Sequence, residues 1–468
     1  MSRRFSCRST INASPPQVWD WHARPGALER LVPPWERIRL LSRTGSIEAG
    51  DLTELELRAG PFRLRWLAEH LDCEPGRGFT DRMVRGPFAR WTHRHSFEPA
   101  GLEDCRLSDE IEYGLKGGPV ADALAGWAVE NRLRQTFAYR HRVTAGDLAV
   151  HHRYFPDGPQ RFLVTGSSGL VGSSLVAFLS AGGHQVARLV RRQPSLPDSL
   201  GASSVTWDPA RGRLDPETVS GQDVVVHLAG AGIAEGRWTT ERKRLIRESR
   251  IVGTDLLARA LAQAPEKPRV LVCASATGFY GDRGDMVLDE GSASGSGFLA
   301  DVARDWEAAA APAIEAGIRV VHLRLGVVLT PAGGALARML PPFRAGVGGP
   351  LGDGRQFWSW ITLDDLLATI LHVAASEDLS GPVNAVSPHP LANGPFSTIL
   401  GRVLNRPAAL RVPAAALRLL LGEMGEELLL ASTRVKPARL LDSGFDFRYA
   451  DLESALRHVL GRELETTP

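Results

Sequence analysis

Residues 161–172 read RFLVTGSSGLVG, and they constrain the fold more than any other part of this chain. Phe162, Leu163 and Val164 form an apolar run suited to a buried parallel strand, after which Gly166, Gly169 and Gly172 recur at every third position. That spacing lets a strand turn tightly into a helix whose free N–H groups face a pyrophosphate. The flanks agree. Leu170, Val171, Leu175, Val176, Phe178 and Leu179 keep helical spacing until Gly182 and Gly183 stop the helix, and a second strand follows at Gln185–Val190. Glycines alone would also suit a polar loop, but strand, turn, helix and strand in this order point to a dinucleotide site lined by Thr165, Gly166, Ser168, Gly169, Leu170 and Gly172.

The end of the second strand decides between cofactors. NAD sites place an acidic residue there, about twenty residues beyond the glycines, to accept from the ribose 2'-hydroxyl. This chain has Arg191 and Arg192 instead. Guanidinium groups suit a 2'-phosphate through paired, charge-assisted hydrogen bonds, so NADP(H) is the expected cofactor. The alternative, two solvated surface arginines, stays open in so arginine-rich a chain.

A chain of 468 residues has room for two or three domains, each with its own core. Its 55 basic and 53 acidic residues leave a net charge of +2, which gives no electrostatic case for nucleic acid or an anionic membrane as partner. Cys7, Cys73, Cys105 and Cys273 show no C-x-x-C spacing, so neither a metal cluster nor a disulfide framework is expected, and a reduced cytoplasm fits. No segment approaches the roughly twenty uninterrupted apolar residues of a membrane span.

Residues 1–153 differ in pattern from the rest. A strand at 5–11 leads to Ser14-Pro15-Pro16, a capped helix start with prolines in its first turn. Strand-like segments follow at 37–42, 51–57, 62–73, 79–85, 89–97 and 105–113, then a helical pattern over 120–143. One helix, a run of antiparallel strands and a long closing helix describe an α+β helix-grip unit. The segments INASPPQVWDW (11–21), LVPPW (31–35) and WTHRHSFEP (91–99) resemble the START-like SRPBCC superfamily. That resemblance implies an apolar ligand held between sheet and helix, with Trp66, Trp91 and Trp127 as candidate lining. Plain core packing is the competing reading for these tryptophans.

Residues 154–160, YFPDGPQ, read as a linker. From 161 to 385, apolar runs at 224–228, 269–274 and 319–325 alternate with helical stretches, the pattern of a Rossmann-type doubly wound parallel sheet. Residues 386–468 become helical and leucine-rich, a small C-terminal cap. Leu228, Ala229 and Gly230 end a buried strand where small residues let the backbone approach a cofactor sugar.

The segments TGSSGLVG, VVHLAGAGI (225–233), RWTTERKRLIRESRIVGT (237–254), SATGFYG (275–281) and the long stretches at 339–366 and 419–447 closely resemble the atypical short-chain dehydrogenase/reductase group called epimerase family proteins. The resemblance implies an oxidoreductase or nucleotide-sugar-type epimerase acting on a small molecule. Ordinary members of that superfamily transfer a proton through a Tyr whose pKa is lowered by a Lys one helical turn later. No such pair exists here, because no lysine lies between Lys267 and Lys436 and Tyr280 is the sole tyrosine between Tyr154 and Tyr449. Tyr280 is therefore the tyrosine candidate for the acid. Ser275 and Thr277 are candidates for binding the reacting oxygen, although the strict spacing falls on Ala276 and both hydroxyls would equally suit a strand end.

In the segment GGPLGDGRQFWSWITLDDL, Arg355, Gln356 and Trp360 are candidate substrate contacts, with core packing as the rival for Trp360. Asp364 and Asp365 read as a charge pair at a helix N-terminus. A reading of a different class competes with catalysis: an NADP(H)-binding sensor or interaction protein that has lost its proton-transfer groups.

Overall fold

The computed structural model describes residues 2–193 and 200–463; residue 1 and residues 464–468, the outer ends of the first and last expected domains, lie outside the described residues. The N-terminal unit is a seven-stranded antiparallel sheet of β1 (Arg3–Ile11), β2 (Ile38–Arg43), β3 (Leu52–Ala59), β4 (Phe62–Glu74), β5 (Gly78–Arg85), β6 (Phe88–Pro99) and β7 (Cys105–Leu115). The strand order is β1-β7-β6-β5-β4-β3-β2. Between β1 and β2 the chain forms α1 (Pro15–Ala23) and α2 (Ala27–Leu31), and α3 (Gly118–Tyr154) packs across β1 and β7. Two-residue alternation buries Trp91, His93, His95 and Phe97 of β6 beside Leu107, Asp109, Ile111 and Tyr113 of β7.

Two details depart from the expected pattern. Helix α3 runs past residue 143 to Tyr154, because Val150 and Tyr154 in the added turns pack on the core of the following domain. Tertiary burial, not local preference, extends it. Trp127, expected as cavity lining, is 80% exposed, and Val120 and Leu124 share its exposed stripe. Helical spacing identified a face of α3 but not where that face turns inward, which happens at Leu133 and Phe137. Trp66 and Trp91 meet edge to face at 5.0 Å, beside Phe88 and Tyr113, as an aromatic core.

The second domain opens with β8 (Arg161–Thr165), α4 (Leu170–Ala181), β9 (Gln185–Val190), β10 (Ser203–Thr206), β11 (Val224–His227), α5 (Thr240–Gln263) and β12 (Val270–Ala276). It continues through β13 (Val287–Leu288), α6 (Phe298–Ala308), α7 (Ala311–Glu315), β14 (Arg319–Leu325), β15 (Val327–Leu329), α8 (Gly334–Arg344), β16 (Phe357–Trp358), β17 (Trp360–Thr362), α9 (Leu363–Ala375) and β18 (Gly381–Ala385). The main sheet is parallel, in the order β10-β9-β8-β11-β12-β14-β18, so the strand order reverses between β8 and β11. That reversal leaves a crevice at the carboxyl ends of β8 and β11, where this architecture binds nucleotides.

The chain ends with β19 (Leu391–Ala392), α10 (Asn393–Leu404), α11 (Ala414–Leu421), α12 (Glu423–Gly425), β20 (Arg434–Val435), α13 (Ala438–Asp442) and α14 (Leu452–Val459). This cap is stitched into the second domain: β20 pairs with β13, β19 pairs with β16, and α10 and α14 bury Trp358 and Trp360.

The two larger units share a dry, charged contact. Arg30 of α2 donates Nε and Nη2 to the two oxygens of Asp147 in α3, and Nη2 also reaches Asp364 Oδ1 of α9, all at 2.8 Å. All three side chains are buried. His458 Nε2 approaches the other Asp364 oxygen at 2.8 Å. Burial opposes ionisation of Asp364, but Arg30 and His458 outweigh it and hold the carboxyl well below its ordinary value. Asp364 is thus an interdomain anchor, whereas Asp365 belongs to the helix start, its N–H donating to Thr362 Oγ1 at 3.0 Å. Substituting Asp364→Ala takes a buried acceptor from both Arg30 and His458 and should cost about 3 kcal/mol. The check is a lower denaturant midpoint for the full chain, with the control Asp255→Ala, on an exposed face of α5, shifting it far less.

Candidate cofactor and active site

The turn after β8 is shaped by contacts that tolerate no side chain. Gly166 has φ +67°, and a Cβ there would lie 2.7 Å from the Leu228 carbonyl. A Cβ on Gly172 would stand 2.2 Å from the Gly166 oxygen, so this glycine seats α4 against the turn. Gly169 differs, since its Cβ would meet only the Gly166 oxygen, at 3.2 Å, and otherwise open space. That space lies at the N-terminus of α4, where the unpaired N–H groups point. Ser168 and Gly169 are exposed there, and Leu170 is half-buried.

Thr165 faces inward. Its Oγ1 accepts from the N–H groups of Leu228 and Ala229 at 3.1 and 3.2 Å, which ties the glycine turn to the loop after β11. The same oxygen meets His227 Nδ1 at 2.8 Å, while His227 Nε2 meets Thr254 Oγ1 of α5 at 2.9 Å. Trp306 of α6 donates to that Thr254 oxygen at 2.9 Å. Burial lowers the His227 pKa to about 4, so this polar chain through the sheet is neutral. Sequence reasoning did not single out His227 or Thr254; the signal available was a histidine inside the apolar run VVVH. Leu228, Ala229 and Gly230 follow at the rim of the crevice, with Gly230 exposed. Arg191 and Arg192 are exposed directly after β9.

The expected catalytic hydroxyls are bound up in a different network. Tyr280 ends a short 3-10 turn after β12 and is fully buried. Its hydroxyl donates to Asn384 Oδ1 at 2.7 Å and accepts from Arg324 Nη1 at 3.0 Å. Arg324 lies 3.5 Å over the Phe279 ring and forks onto both oxygens of Glu307 at 2.8 and 2.9 Å. Ser275 Oγ donates to the same carboxylate at 2.7 Å. Burial pushes the Tyr280 hydroxyl above its ordinary value despite Arg324 and Asn384. Ser275 and Tyr280 are therefore joined through Glu307 and Arg324, and both serve to lock β12, α6, β14 and β18 together. Thr277, buried at the start of the 3-10 turn, lies apart from this network's hydrogen bonds.

The three expected substrate contacts separate. Gln356 donates its amide to the Leu351 and Leu429 carbonyls at 3.1 and 3.0 Å, a brace between loop and cap. Trp360 is fully buried and donates to the His389 carbonyl at 3.2 Å. Arg355 alone is exposed. A small pocket of about 90 Å³ instead opens beyond β12, lined by Gly278, Gly281, Asp282, Ser296, Leu299 and Glu427 among others. There Glu427 of the cap accepts from the Phe298 and Leu299 N–H groups at 2.9 and 2.8 Å, neutralising the N-terminus of α6.

A parallel sheet reversing at a glycine turn, with small residues at the facing strand end, defines a dinucleotide-binding domain of the short-chain dehydrogenase type. Residues 162–385 match the NAD dependent epimerase/dehydratase family, residues 412–459 match a domain of unknown function (DUF1731), and residues 11–142 match the polyketide cyclase / dehydrase and lipid transport family. An epimerase family protein of Mycobacterium tuberculosis is 44% identical over 299 residues, which are 64% of this chain and 97% of that protein. A Homo sapiens epimerase family protein is 34% identical over 303 residues, covering 64% of this chain and 99% of the relative. The chain belongs to this epimerase family. Its whole length is similar to a crystal structure described as a nucleoside-diphosphate sugar epimerase from Corynebacterium glutamicum, with TM-score 0.79, 34% identity and coverage of 99% of this chain and 91% of that one. The human epimerase family protein solved with NADPH matches with TM-score 0.59 and 32% identity over 64% of this chain and 99% of that chain.

The glycines separate by role under substitution. Gly169→Val should abolish dinucleotide binding with the fold retained, and Gly172→Val should destabilise the domain itself, since its Cβ meets backbone. Cofactor titration alongside thermal melting distinguishes the two. Tyr280→Phe should lower stability by about 1–3 kcal/mol through the unpaired Arg324 and Asn384 groups. Its dinucleotide affinity should be unchanged, and a variant with wild-type stability would remove the locking role.

Proposed function

We propose that this chain binds NADP(H) in the crevice between β8 and β11 and uses it as an oxidoreductase or epimerase acting on a small molecule. The observation that supports this best is the open space beyond Gly169, at the free N-terminus of α4, next to a Gly166 turn that abuts Leu228 and Ala229. In this reading Arg191 and Arg192 meet the 2'-phosphate from the end of β9, and the choice of NADP(H) is supported by the human relative having been solved with NADPH. Small hydroxylated substrates would enter between the sheet edge and the cap, with Arg355 as the exposed cation at that rim. Hydride chemistry belongs to the cofactor; the chain supplies position and water exclusion.

A second reading is favoured by one observation: the Tyr280 hydroxyl has both a hydrogen-bond acceptor and a donor already in place. Under that reading the cofactor is held without turnover, and its occupancy is the output. Loading the protein with NADP+ or with NADPH, adding nucleotide sugars and their keto forms, and following both nicotinamide absorbance and the sugar's stereochemistry by NMR separates the two. A lasting absorbance change or an inverted sugar centre supports the enzyme, and tight binding with neither across the panel supports the sensor.

NADPH should bind more tightly than NADH by about tenfold or more, roughly 1.4 kcal/mol. Arg191→Glu should reverse or abolish this preference, because a carboxylate repels a phosphate but accepts from a hydroxyl. Equal titration curves for the two cofactors in the unmodified chain would remove the role of the arginines.

A further inference from the structure

The interior of the N-terminal unit contains a second constellation, distant in sequence from the dinucleotide crevice. Register builds it. Asp81 of β5 lies opposite His93 of β6, and His95 lies opposite Asp109 of β7, so two cross-strand pairs place all four side chains on the inner face. His141 reaches down from α3. His93, His95, Asp109 and His141 are all at least nine-tenths buried.

Asp109 is at the back of the cluster. Its Oδ1 lies 2.7 Å from His93 Nε2 and 2.8 Å from His95 Nδ1, and its Oδ2 lies 2.6 Å from His141 Nε2. One carboxylate thus faces one nitrogen of each of the two β6 imidazoles. The opposite nitrogens, His93 Nδ1 and His95 Nε2, look toward Asp81 Oδ2 at 3.4 and 3.8 Å. Those separations exceed the usual 2.7–3.2 Å range of N–H···O bonds. The His93 separation matches the ligand-to-ligand edge of about 3.3 Å expected when an imidazole nitrogen and a carboxylate oxygen each bind a tetrahedral zinc ion at about 2.0–2.1 Å, and the His95 separation is somewhat longer. One ligand atom from each of Asp81, His93 and His95 falls within 4.8 Å of the others.

We propose that Asp81, His93 and His95 form a divalent-metal site of the two-histidine, one-carboxylate type, taking Zn²⁺ or a similar borderline cation. Two features select a metal site over a plain polar core. His93 has its second nitrogen hydrogen-bonded to Asp109, the arrangement that fixes tautomer and orientation in metal centres, and His95 Nδ1 lies 2.8 Å from the same oxygen. The facing Asp81 oxygen stands 3.4 and 3.8 Å from the two imidazoles, farther than a short hydrogen bond to either. Three protein ligands leave a coordination position for water or for an oxygen of a molecule bound between sheet and helix, giving this domain a polar anchor for its ligand. Cys7, 3.7 Å from His141 Nδ1, belongs to the supporting layer rather than the ligand set.

The test uses the tag-free full chain, stripped with chelator and titrated with Zn²⁺ by calorimetry and with Co²⁺ by visible absorption. One equivalent should bind, and the Co²⁺ form should show the intense visible bands of a low-coordinate site. Asp81→Asn and His95→Gln should each weaken binding at least a hundredfold, while Asp109→Asn should weaken it about 10–100-fold by releasing the imidazoles. Near-ultraviolet circular dichroism reports whether each variant stays folded. No stoichiometric uptake by the unmodified chain overturns the proposal, whatever the variants do, and so does uptake that a folded Asp81→Asn or His95→Gln leaves unchanged.

Discussion

Arg30 holds two carboxylates from two domains with one guanidinium, and the arrangement of this molecule depends on that contact. A buried cation of this kind is a poor source of stability but a strong determinant of geometry, since removing it leaves two buried carboxylates without their shared partner. The surrounding contacts are equally intolerant of displacement. A Cβ on Gly26, which precedes α2 at φ +92°, would lie 2.2 Å from the Ala177 carbonyl of α4, and one on Gly182 would lie 2.2 Å from the His151 ring. His151 in turn meets the Phe178 carbonyl and His184 at 3.1 Å each. The face of α4 turned away from the parallel sheet is thus covered by the N-terminal unit, so the helix that presents its N–H groups to the crevice is clamped from behind.

This clamp gives a physical sense to the fusion of the two units. The same α3 that carries His141 into the interior of the helix-grip sheet continues to Asp147, His151 and Tyr154 at the domain contact. A 37-residue helix transmits rigid-body displacement along its length, because its backbone hydrogen bonds all lie within one segment. A change that moved α3 at His141 would therefore act on α4 through His151, without any loop to absorb it.

What was legible in the sequence divides by the range of the interactions involved. The strand, glycine turn and α4 were readable because Gly166 and Gly172 answer to backbone atoms nearby or in the facing strand end, and only glycine meets that demand. The doubly wound order and the helix-grip unit were readable from alternation of period and from the resemblance of their motifs. Tyr280 read as an acid because it was the sole tyrosine available; its actual partners, Arg324 and Asn384, lie on strands 44 and 104 residues away. Gln356 read as a substrate contact because it stands among glycines and polar groups, and the Leu429 carbonyl that its amide meets is 73 residues on. Asp364 read as a local helix-end charge, and its partner Arg30 is 334 residues distant.

The histidines of β6 make the same argument from the other direction. His93 and His95, two apart in WTHRHSFEP, announce only that both point to one side of a strand. Whether that side is wet or dry, and which carboxylates it meets, is set by the pairing of β5, β6 and β7, where Asp81 and Asp109 arrive from turns of quite different length. An alternating polar pair on the inner face would be unfavourable unless every nitrogen found a partner. Asp109 bonds His93 Nε2, His95 Nδ1 is left without a hydrogen bond, and the other nitrogen of each ring faces Asp81 at 3.4 and 3.8 Å. A buried interior that gathers two imidazoles and a carboxylate, and holds one of the imidazoles by a second carboxylate, is organised for a cation.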